Sequence, residues 1–297
     1  MSDSPSIAGL VEKKTLQKRV LTQIENIPSL STVVGEFLEL SAKDYFTALD
    51  FEKILIKDQA LVARLLKVAN SSFFGSSRAI HTVHEAVVLI GMDNLKNIVY
   101  AVSSSGLLRH QMKAYRYPDA GFWLHSMAVG MTCRALMEGL KNGPLGSEEA
   151  FVAGLLHDIG KLIIDDYLDP GAANEEGRFS LESEMDAAGY DHTELGEKIL
   201  ERWRIPANIR EALRHHHQPL TDEGFHAGAA VISLADRICN TWSVGTRSLM
   251  DLGREIEEED FEDLLTALQF PPGAFLPLLW ELRQKLAHVE DYYVDDE

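Results

Sequence analysis

Residues 151–164 read FVAGLLHDIGKLII, and this stretch decides how the chain is expected to fold. On either side of His157 and Asp158 the segment is apolar around most of a helix, which predicts a buried helix. Burying an ionised Asp158 costs several kcal/mol unless a cation or strong hydrogen-bond donors compensate for it. A metal ion bound by both neighbours would do so, since adjacent helical side chains diverge by only about 100° and can converge on one ion. An ion pair with Lys161, or with an arginine from another helix, is the alternative.

Other histidines and carboxylates occur in similar settings. His125 lies in FWLHSMAVG, and Asp236 interrupts the apolar segment AAVISLADRICN. His192 stands at a predicted helix start, and three consecutive histidines end another predicted helix, namely His215, His216 and His217. Each has an ordinary explanation: a core histidine with satisfied hydrogen bonds, a helix end favoured by the helix dipole, or an Asp236 that pairs with Arg237 or with an arginine elsewhere.

Together these residues follow the order H…HD…H…HH…D across several predicted helices and their ends. Imidazole and carboxylate ligands suit Fe, Mn, Zn or Ni, and the lack of Cys ligands argues against a structural zinc site. The six or seven ligands in this order are too many for one ion and about right for two. One aspartate can then bridge two ions that hold a hydroxide between them, an arrangement suited to phosphoester hydrolysis. The pattern therefore favours a di-metal site.

The composition is that of a globular protein with an acidic balance. Hydrophobic residues make up 45% and charged residues 25% of the 297 residues, and no apolar run is long enough to cross a bilayer. The N-terminus lacks the apolar core of a signal peptide, which indicates a cytoplasmic protein without a membrane partner. The net charge is −18, and residues 251–297 alone hold fourteen acidic and three basic residues, so we expect no nucleic-acid partner. The two cysteines, Cys133 and Cys239, are expected to be reduced thiols of the core.

Helical periodicity runs through the chain and no convincing strand pattern accompanies it, so we expect an all-α fold. Short amphipathic segments separated by Gly, Pro or polar breaks predict a compact multi-helix bundle. A first helix over 7–27 should end before Pro28, and Ser31 and Thr32 are candidate N-caps of the next helix. The expected organisation is a leader helix at 1–23, a main domain at 24–245 with lobes at about 24–114 and about 115–245, and an acidic helical extension at 246–297.

Several longer motifs occur in a characteristic order. DQALVARLLKVANSSFFG at 58–75 is followed by AIHTVHEAVVLIGMDNLKNIV at 79–99. The second half contains FWLHS at 122–126, AGLLHDIGKL at 153–162, YDHTELGEKILERWRIPANIREALRHHHQP at 190–219 and LADRICN at 234–240. These motifs resemble the HDOD family, the first two its N-terminal signature and the others its HD-superfamily half. The resemblance covers roughly residues 20–245 and implies an HD-superfamily helical bundle with an N-terminal helical lobe.

The resemblance also implies a set of ligands. The residues that match the metal-ligand positions of the related HD-GYP phosphodiesterases are His125, His157, Asp158, His192, His216, His217 and Asp236. In that family pattern Asp158 bridges two ions (Fe, Mn or Zn), and Lys161 contacts a phosphate. Two departures matter. The GYP-type loop is missing from HHHQPLTDEGFHAG at 215–228, which argues against cyclic di-GMP specificity, and Gly121 stands where some relatives supply a Glu for a third metal.

Two functions are open at this point. Many HDOD proteins are regulatory modules of bacterial signalling, which predicts a stand-alone HDOD regulator with a di-metal site and a signalling protein as partner. The alternative is a metal-dependent phosphohydrolase that acts on a nucleotide or a related phosphoester, with Asp158 and Lys161 as its catalytic residues. The acidic C-terminal segment could dock a basic partner in the first case. A DNA-binding regulator is disfavoured by the negative charge.

Overall fold

The computed structural model of the chain describes residues 7–28, 32–41, 47–70, 79–174, 178–221, 224–246 and 255–289. These residues form an all-α fold, which confirms the prediction from helical periodicity. The regular strands within the described ranges are the two-residue β1 (Leu220–Thr221) and β2 (Gly224–Phe225). They pair antiparallel, with Leu220 opposite Phe225 and Thr221 opposite Gly224.

The N-terminal half consists of short helices, several of which begin at a side-chain cap. They are α1 (Ile7–Gln23), α2 (Thr32–Ser41), α3 (Ala48–Leu55), α4 (Gln59–Ala69), α5 (Val83–Ile90) and α6 (Met92–Leu108). The Thr47 hydroxyl accepts a hydrogen bond from the backbone N–H of Asp50 at the start of α3, and Thr82 and Glu85 repeat this capping box at α5. Gly91, with a φ of +83°, makes the sharp turn between α5 and α6.

The first two helices differ slightly from the expectation. The helix predicted over 7–27 ends at Gln23, and a single 3₁₀ turn at Ile24–Asn26 continues it toward Pro28. Thr32 is the first residue of α2 and not its N-cap. Ser31 lies outside the described residues.

The second half is built around one central helix. Its elements are α7 (Gly121–Gly139), α8 (Ser147–Leu156), α9 (Lys161–Ile164), α10 (Leu181–Ala188), α11 (His192–Arg202), α12 (Ala207–Arg214), α13 (Ala227–Thr241), α14 (Glu262–Ala267) and α15 (Phe275–Leu286). Most residues of α7 are buried, because α6, α8, α13 and α15 all pack against it. A Cβ atom on Gly154 would lie 2.9 Å from the Cα atom of Gly130. The two glycines therefore let α7 and α8 pack backbone against backbone, beside the buried free thiol of Cys133.

His157 and Asp158, called here the HD pair, do not lie inside a regular helix. This differs from the prediction of one continuous helix over FVAGLLHDIGKLII. Regular α8 ends at Leu156, residues 157–160 form a turn, and α9 begins at Lys161. His157 keeps helical angles (φ −52°, ψ −36°) although the regular helix has ended. Apolar residues continue through this turn with helical spacing, so periodicity alone cannot reveal the break. The turn places both side chains at the end of α8 and toward the neighbouring helices.

Both ends of the described chain pack onto the second half. The side chain of Gln17 in α1 donates a hydrogen bond to the carbonyl oxygen of Gly189 (3.0 Å), and Arg202 donates to the carbonyl oxygen of Ile24 (2.7 Å). At the other end, Phe275 and Leu279 of α15 are buried in the common core. None of the helices in the described residues is both long enough and apolar enough to span a membrane.

Candidate metal centre

Five elements bring the predicted side chains together around Asp158. His125 comes from the middle of α7, and His157 and Asp158 come from the turn after α8. His192 is the first residue of α11, capped by the preceding Asp191, and Asp236 lies in α13. The turn after α12 contributes His216 and His217. All seven histidines and aspartates that the sequence singled out therefore lie in one cluster, in two groups that share Asp158.

The first group, called here the two-aspartate group, consists of His125, His157, Asp158 and Asp236. The Nε2 atom of His125 lies 3.0 Å from Oδ1 of Asp236. The Nε2 atom of His157 lies 3.2 Å from Oδ2 of Asp158 and 3.6 Å from Oδ1 of Asp236. Four donor side chains therefore face one small volume, with Asp236 only 15% exposed and the others almost fully buried.

The second group, called here the three-histidine group, consists of Asp158, His192, His216 and His217. The Nε2 atom of His192 lies 3.2 Å from Oδ1 of Asp158 and 3.0 Å from Nε2 of His217. The Nε2 atom of His216 lies 4.0 Å from the same Asp158 oxygen. The two oxygens of Asp158 thus point to different groups, Oδ1 to the three-histidine group and Oδ2 to the two-aspartate group.

The ring nitrogens are oriented as metal ligands require. The Nδ1–H of His157 donates to the carbonyl oxygen of Gly154 (2.8 Å), and that of His216 donates to the carbonyl oxygen of Leu213 (2.7 Å). A carbonyl oxygen can only accept, so each Nδ1 carries a hydrogen and each Nε2 points into the cluster. These two Nε2 atoms are buried and have no hydrogen-bond partner among the described residues, and neither has Oδ1 of Asp158.

A metal ion fits this arrangement better than protein contacts alone do. Ring nitrogens and carboxylate oxygens that lie 3.0 to 3.6 Å apart need either a ring hydrogen or a shared cation between them. Two ligand atoms bound at about 2.1 Å to a common ion are roughly 3.0–3.4 Å apart. Buried polar atoms without partners are rare, and an unrecorded ion is one of the recognised reasons for them. Imidazole and carboxylate donors are those of Fe, Mn and Zn sites.

The carboxylates stay ionised despite their burial. Burial alone would raise the pKa of Asp158, but His157 and Lys161 hold it well below its usual range. Burial likewise opposes ionisation of Asp236, whose pKa is lowered by the neighbouring His125 and His157. Burial would lower the pKa of His157, but the charge of Asp158 beside it raises that pKa to about 10. Both aspartates are therefore carboxylates, the form in which they can bind a cation.

The three-histidine group differs from this, because its most buried ring stays neutral. Burial and the neighbouring imidazoles of His217 and His157 lower the pKa of His216 well below its ordinary value. A neutral imidazole with its Nδ1–H bonded to a carbonyl oxygen presents a lone pair at Nε2. His216 is thus preset as an acceptor or a ligand.

The alternative ion pairs considered for the aspartates are partly realised. The Nζ atom of Lys161 lies 2.6 Å from Oδ2 of Asp158, so this lysine does pair with the HD aspartate. Arg237 does not pair with Asp236, because its guanidinium group donates to both oxygens of Asp263. His215, the first of the three consecutive histidines, stays outside the cluster and stacks on His226 with ring centroids 4.1 Å apart.

Glu184 is part of the site although sequence reasoning missed it. It is 1% exposed, and its Oε2 atom accepts hydrogen bonds from Nδ1 of His192 (2.7 Å) and from the backbone N–H of the same residue (2.8 Å). Its Oε1 atom accepts from the hydroxyl of Tyr115 (2.7 Å). A signal was present, because Glu184 lies on the same face of α10 as the apolar Leu181 and Ala188. A carboxylate in an apolar stripe was noticed at Asp236 but not here.

A cleft of about 930 Å³ opens over the cluster. Four ligand candidates reach its wall, namely His125, His192, His217 and Asp236. Lys161 and Arg178 add positive charge to the wall, and Tyr115 and Phe179 add aromatic rings. Their rings meet edge to face, with centroids 5.5 Å apart. A small or medium-sized anion could therefore reach the cluster from solvent.

Gly121 leaves no room for a third carboxylate in the first turn of α7. A Cβ atom at this position would lie 2.2 Å from the backbone oxygen of Gly245. Contacts this short to a backbone atom cannot be relieved by a side-chain rotation. The close approach of the two backbones explains why a glycine stands at this position, one turn before His125.

Comparison with known proteins agrees with this fold. The family model of the HDOD domain matches residues 27–219. The fold is that of HD-phosphohydrolase-like helical proteins, and within that class the chain belongs to the HDOD family. The family resemblance predicted from the motifs is thereby confirmed.

Two solved structures share this fold. An HDOD domain protein of unknown function from Geobacter sulfurreducens superposes with a TM-score of 0.69 at 19% identity, over 96% of this chain and 100% of that one. A proposed phosphohydrolase from Shewanella amazonensis gives 0.65 at 22% identity, over 92% and 98%.

Among curated relatives, an uncharacterised protein of Treponema pallidum is 25% identical over 68% of this chain and 40% of its own length. A cyclic di-GMP phosphodiesterase of Pseudomonas aeruginosa is 27% identical over 64% of this chain and 45% of its own length. The chain thus spans less than half the length of these curated relatives.

Proposed function

We propose that this chain is a regulatory HDOD protein of bacterial signal transduction whose HD-like half binds two divalent transition-metal ions. One ion would be held by the two-aspartate group and one by the three-histidine group, with Asp158 contributing one oxygen to each. The observation that carries the proposal is a set of buried atoms that have no hydrogen-bond partner within the described part of the chain, namely Nε2 of His157 and His216 and Oδ1 of Asp158. Fe, Mn and Zn are the metals that suit this donor set.

Elemental analysis tests the metal site directly. Protein purified without chelator and reconstituted with Mn²⁺, Fe²⁺ or Zn²⁺ should retain about two ions per chain, and Asp158→Asn should retain fewer than one, since both groups lose an anionic ligand. The matched control is Asp186→Asn, because Asp186 lies exposed on α10 outside the cluster. Wild-type protein that holds no stoichiometric ion after reconstitution, with its helical circular dichroism intact, would contradict the proposal.

A second candidate function is metal-dependent phosphoester hydrolysis. The cleft favours it, because Lys161 and Arg178 supply positive charge beside the cluster where a phosphate would lie. Bound ions would supply Lewis-acid activation of water and of the phosphoryl oxygens. Lys161 would orient the phosphate. Asp158, which belongs to both groups of the cluster, would hold the two-aspartate group next to the three-histidine group. The Pseudomonas relative is a phosphodiesterase of a cyclic dinucleotide, but the GYP-type loop is missing here, so a nucleotide or another phosphoester is proposed.

Turnover by the metal-loaded protein separates the two functions. Hydrolysis of bis(p-nitrophenyl) phosphate, nucleotides or cyclic dinucleotides that disappears in both Asp158→Asn and the chelated protein would favour the enzyme. Fully loaded protein that hydrolyses none of these would favour the regulatory role. In that case the metals would stabilise a conformation that a signalling protein recognises.

A further inference from the structure

The two groups of the cluster are prepared for metal to different degrees. In the three-histidine group, Oδ1 of Asp158 and Nε2 of His216 are buried without a hydrogen-bond partner among the described residues. Glu184 and the carbonyl oxygen of Leu213 hold the Nδ1–H groups of His192 and His216, so both rings present Nε2. A cation that enters this group would displace no ammonium group and would replace only the 3.0 Å contact between Nε2 of His192 and Nε2 of His217.

In the two-aspartate group, Nε2 of His157 likewise has no hydrogen-bond partner among the described residues, but both carboxylates are already paired. Oδ2 of Asp158 is paired with Nζ of Lys161 at 2.6 Å. Oδ1 of Asp236 lies 3.0 Å from Nε2 of His125 and accepts a hydrogen bond from Nδ2 of Asn240 at 2.8 Å. The Nδ1 atom of His125 is buried without a partner among the described residues, so the contact between Nε2 and Asp236 is the hydrogen bond that orients this ring. A cation must displace these contacts before it can bind.

Lys161 is the contact that an incoming ligand could move. Its ammonium group is a compact charge on a flexible stem, and it lies on the wall of the cleft together with Arg178. An anion in the cleft offers the ammonium group a second partner within reach of the same side chain. The carboxylate oxygen that Lys161 leaves is the one that faces the two-aspartate group.

We propose that Lys161 acts as an internal cation that keeps the two-aspartate group closed to metal until an anion in the cleft draws it away from Asp158. The chain then takes up its first ion at the three-histidine group and its second only with an anion bound. This inference rests on the proposed metal site and adds an order of loading to it. Binding of the anion and binding of the second metal ion are then coupled.

Manganese binding to the full chain tests the order of loading. Mn²⁺ affinity and stoichiometry are measured by equilibrium dialysis, with electron paramagnetic resonance to detect spin coupling between two neighbouring ions, in the absence and presence of inorganic phosphate. Wild-type protein should show one tight site and a second site at least about tenfold weaker, because a positive charge near the second site opposes the ion. Phosphate should tighten the second site and bring out the coupled signal.

Removing the lysine charge provides the decisive comparison. Lys161→Met keeps the apolar stem and should bind two Mn²⁺ ions with similar affinity, and phosphate should add little. Lys198→Met is the matched control, because Lys198 lies exposed on α11, and it should behave as the wild type. If phosphate raises the Mn²⁺ affinity of the second site equally in Lys161→Met, then phosphate acts as a direct metal ligand. This result would overturn the proposal.

The remaining outcomes separate this inference from the proposed function. Two equivalent Mn²⁺ sites in the wild type without phosphate would overturn the order of loading and leave the di-metal site standing. Wild-type protein that binds no Mn²⁺, Fe²⁺ or Zn²⁺ at all would overturn both. The phosphate dependence of the wild type is informative even if Lys161→Met does not fold, since its absence alone rejects the role given to the anion.

Discussion

Glu184 orients one ring of the cluster from a buried position in α10. Its Oε2 atom accepts two hydrogen bonds from His192, one from the ring and one from the backbone. Burial opposes ionisation of this carboxyl group, but His192 and Lys161 beside it lower its pKa, so it acts as a carboxylate. The Nε2 atom of His192 is therefore directed at Asp158. Outer groups of this kind set both the tautomer and the basicity of a ligand.

Replacing this carboxylate should weaken metal binding without unfolding the protein. Glu184→Gln removes the charge and offers an amide that can be turned with its N–H₂ toward the ring. We expect Mn²⁺ affinity to fall about 10- to 100-fold, as measured by equilibrium dialysis. Glu182→Gln, an exposed change on the same helix, is the control and should bind as the wild type does. Equal affinities in the two variants would show that Glu184 has only a structural role.

At the scale of elements, the turn after α8 brings the HD pair against α11. Gly160 closes this turn, and a Cβ atom on it would lie 2.0 Å from the carbonyl oxygen of His192. The chain can therefore pass the first turn of α11 only without a side chain at this position. This close approach of Gly160 to His192 also brings His192 near Asp158, because Asp158 and Gly160 belong to the same turn.

An alanine at this contact should cost stability and disturb the cluster together. Gly160→Ala is expected to lower the free energy of unfolding by about 1–3 kcal/mol, because the added methyl group forces two backbones apart. Gly106→Ala is the control, since a Cβ atom there meets nothing within 4 Å on the exposed side of α6. Urea unfolding of both variants checks this, and a Gly160→Ala protein as stable as Gly106→Ala would contradict it.

At the scale of the whole molecule, the acidic C-terminal part also packs apolar side chains against the core. Phe275, Leu279 and Leu286 of α15 are buried, and α15 packs against the central helix α7. Arg237 of α13 is tied to the same part by its bidentate contact with Asp263. The same C-terminal segment therefore carries many acidic residues and also buries apolar side chains against α7. The boundary expected at residue 246 remains a prediction, but α15 shares its core with α7.

Neighbouring side chains on α15 should therefore differ sharply in their effect on stability. Phe275→Ala is expected to lower the free energy of unfolding by about 3–5 kcal/mol, because it leaves a cavity against the other buried rings of the C-terminal part. Leu276→Ala should change it by less than about 0.5 kcal/mol, because that side chain is 46% exposed. Urea unfolding at one pH measures both. Similar losses in the two variants would show that α15 does not depend on this face.

Most candidate ligands could be recognised from the sequence because each is a polar residue in an apolar or helix-terminal context. His125 and Asp236 were noticed for this reason, and His192 for its place at a helix start. Glu184 meets the same criterion but was missed, since other carboxylates surround it in LESEMD. The prediction of one continuous helix through the HD pair was wrong, because the turn after α8 preserves the helical spacing of its apolar residues.

Local sequence is sufficient for the all-α fold and the set of seven cluster residues, because periodicity, caps and family motifs are properties of short segments. It left open whether Asp158 pairs with a lysine or faces imidazoles, and the tertiary structure shows both, with Lys161 and His157 at Oδ2 and His192 at Oδ1. That division arises where five elements meet, and no segment contains it. The proposed difference between the two groups likewise depends on contacts between residues distant in the chain. Such contacts are determined by packing, and only the folded molecule shows them.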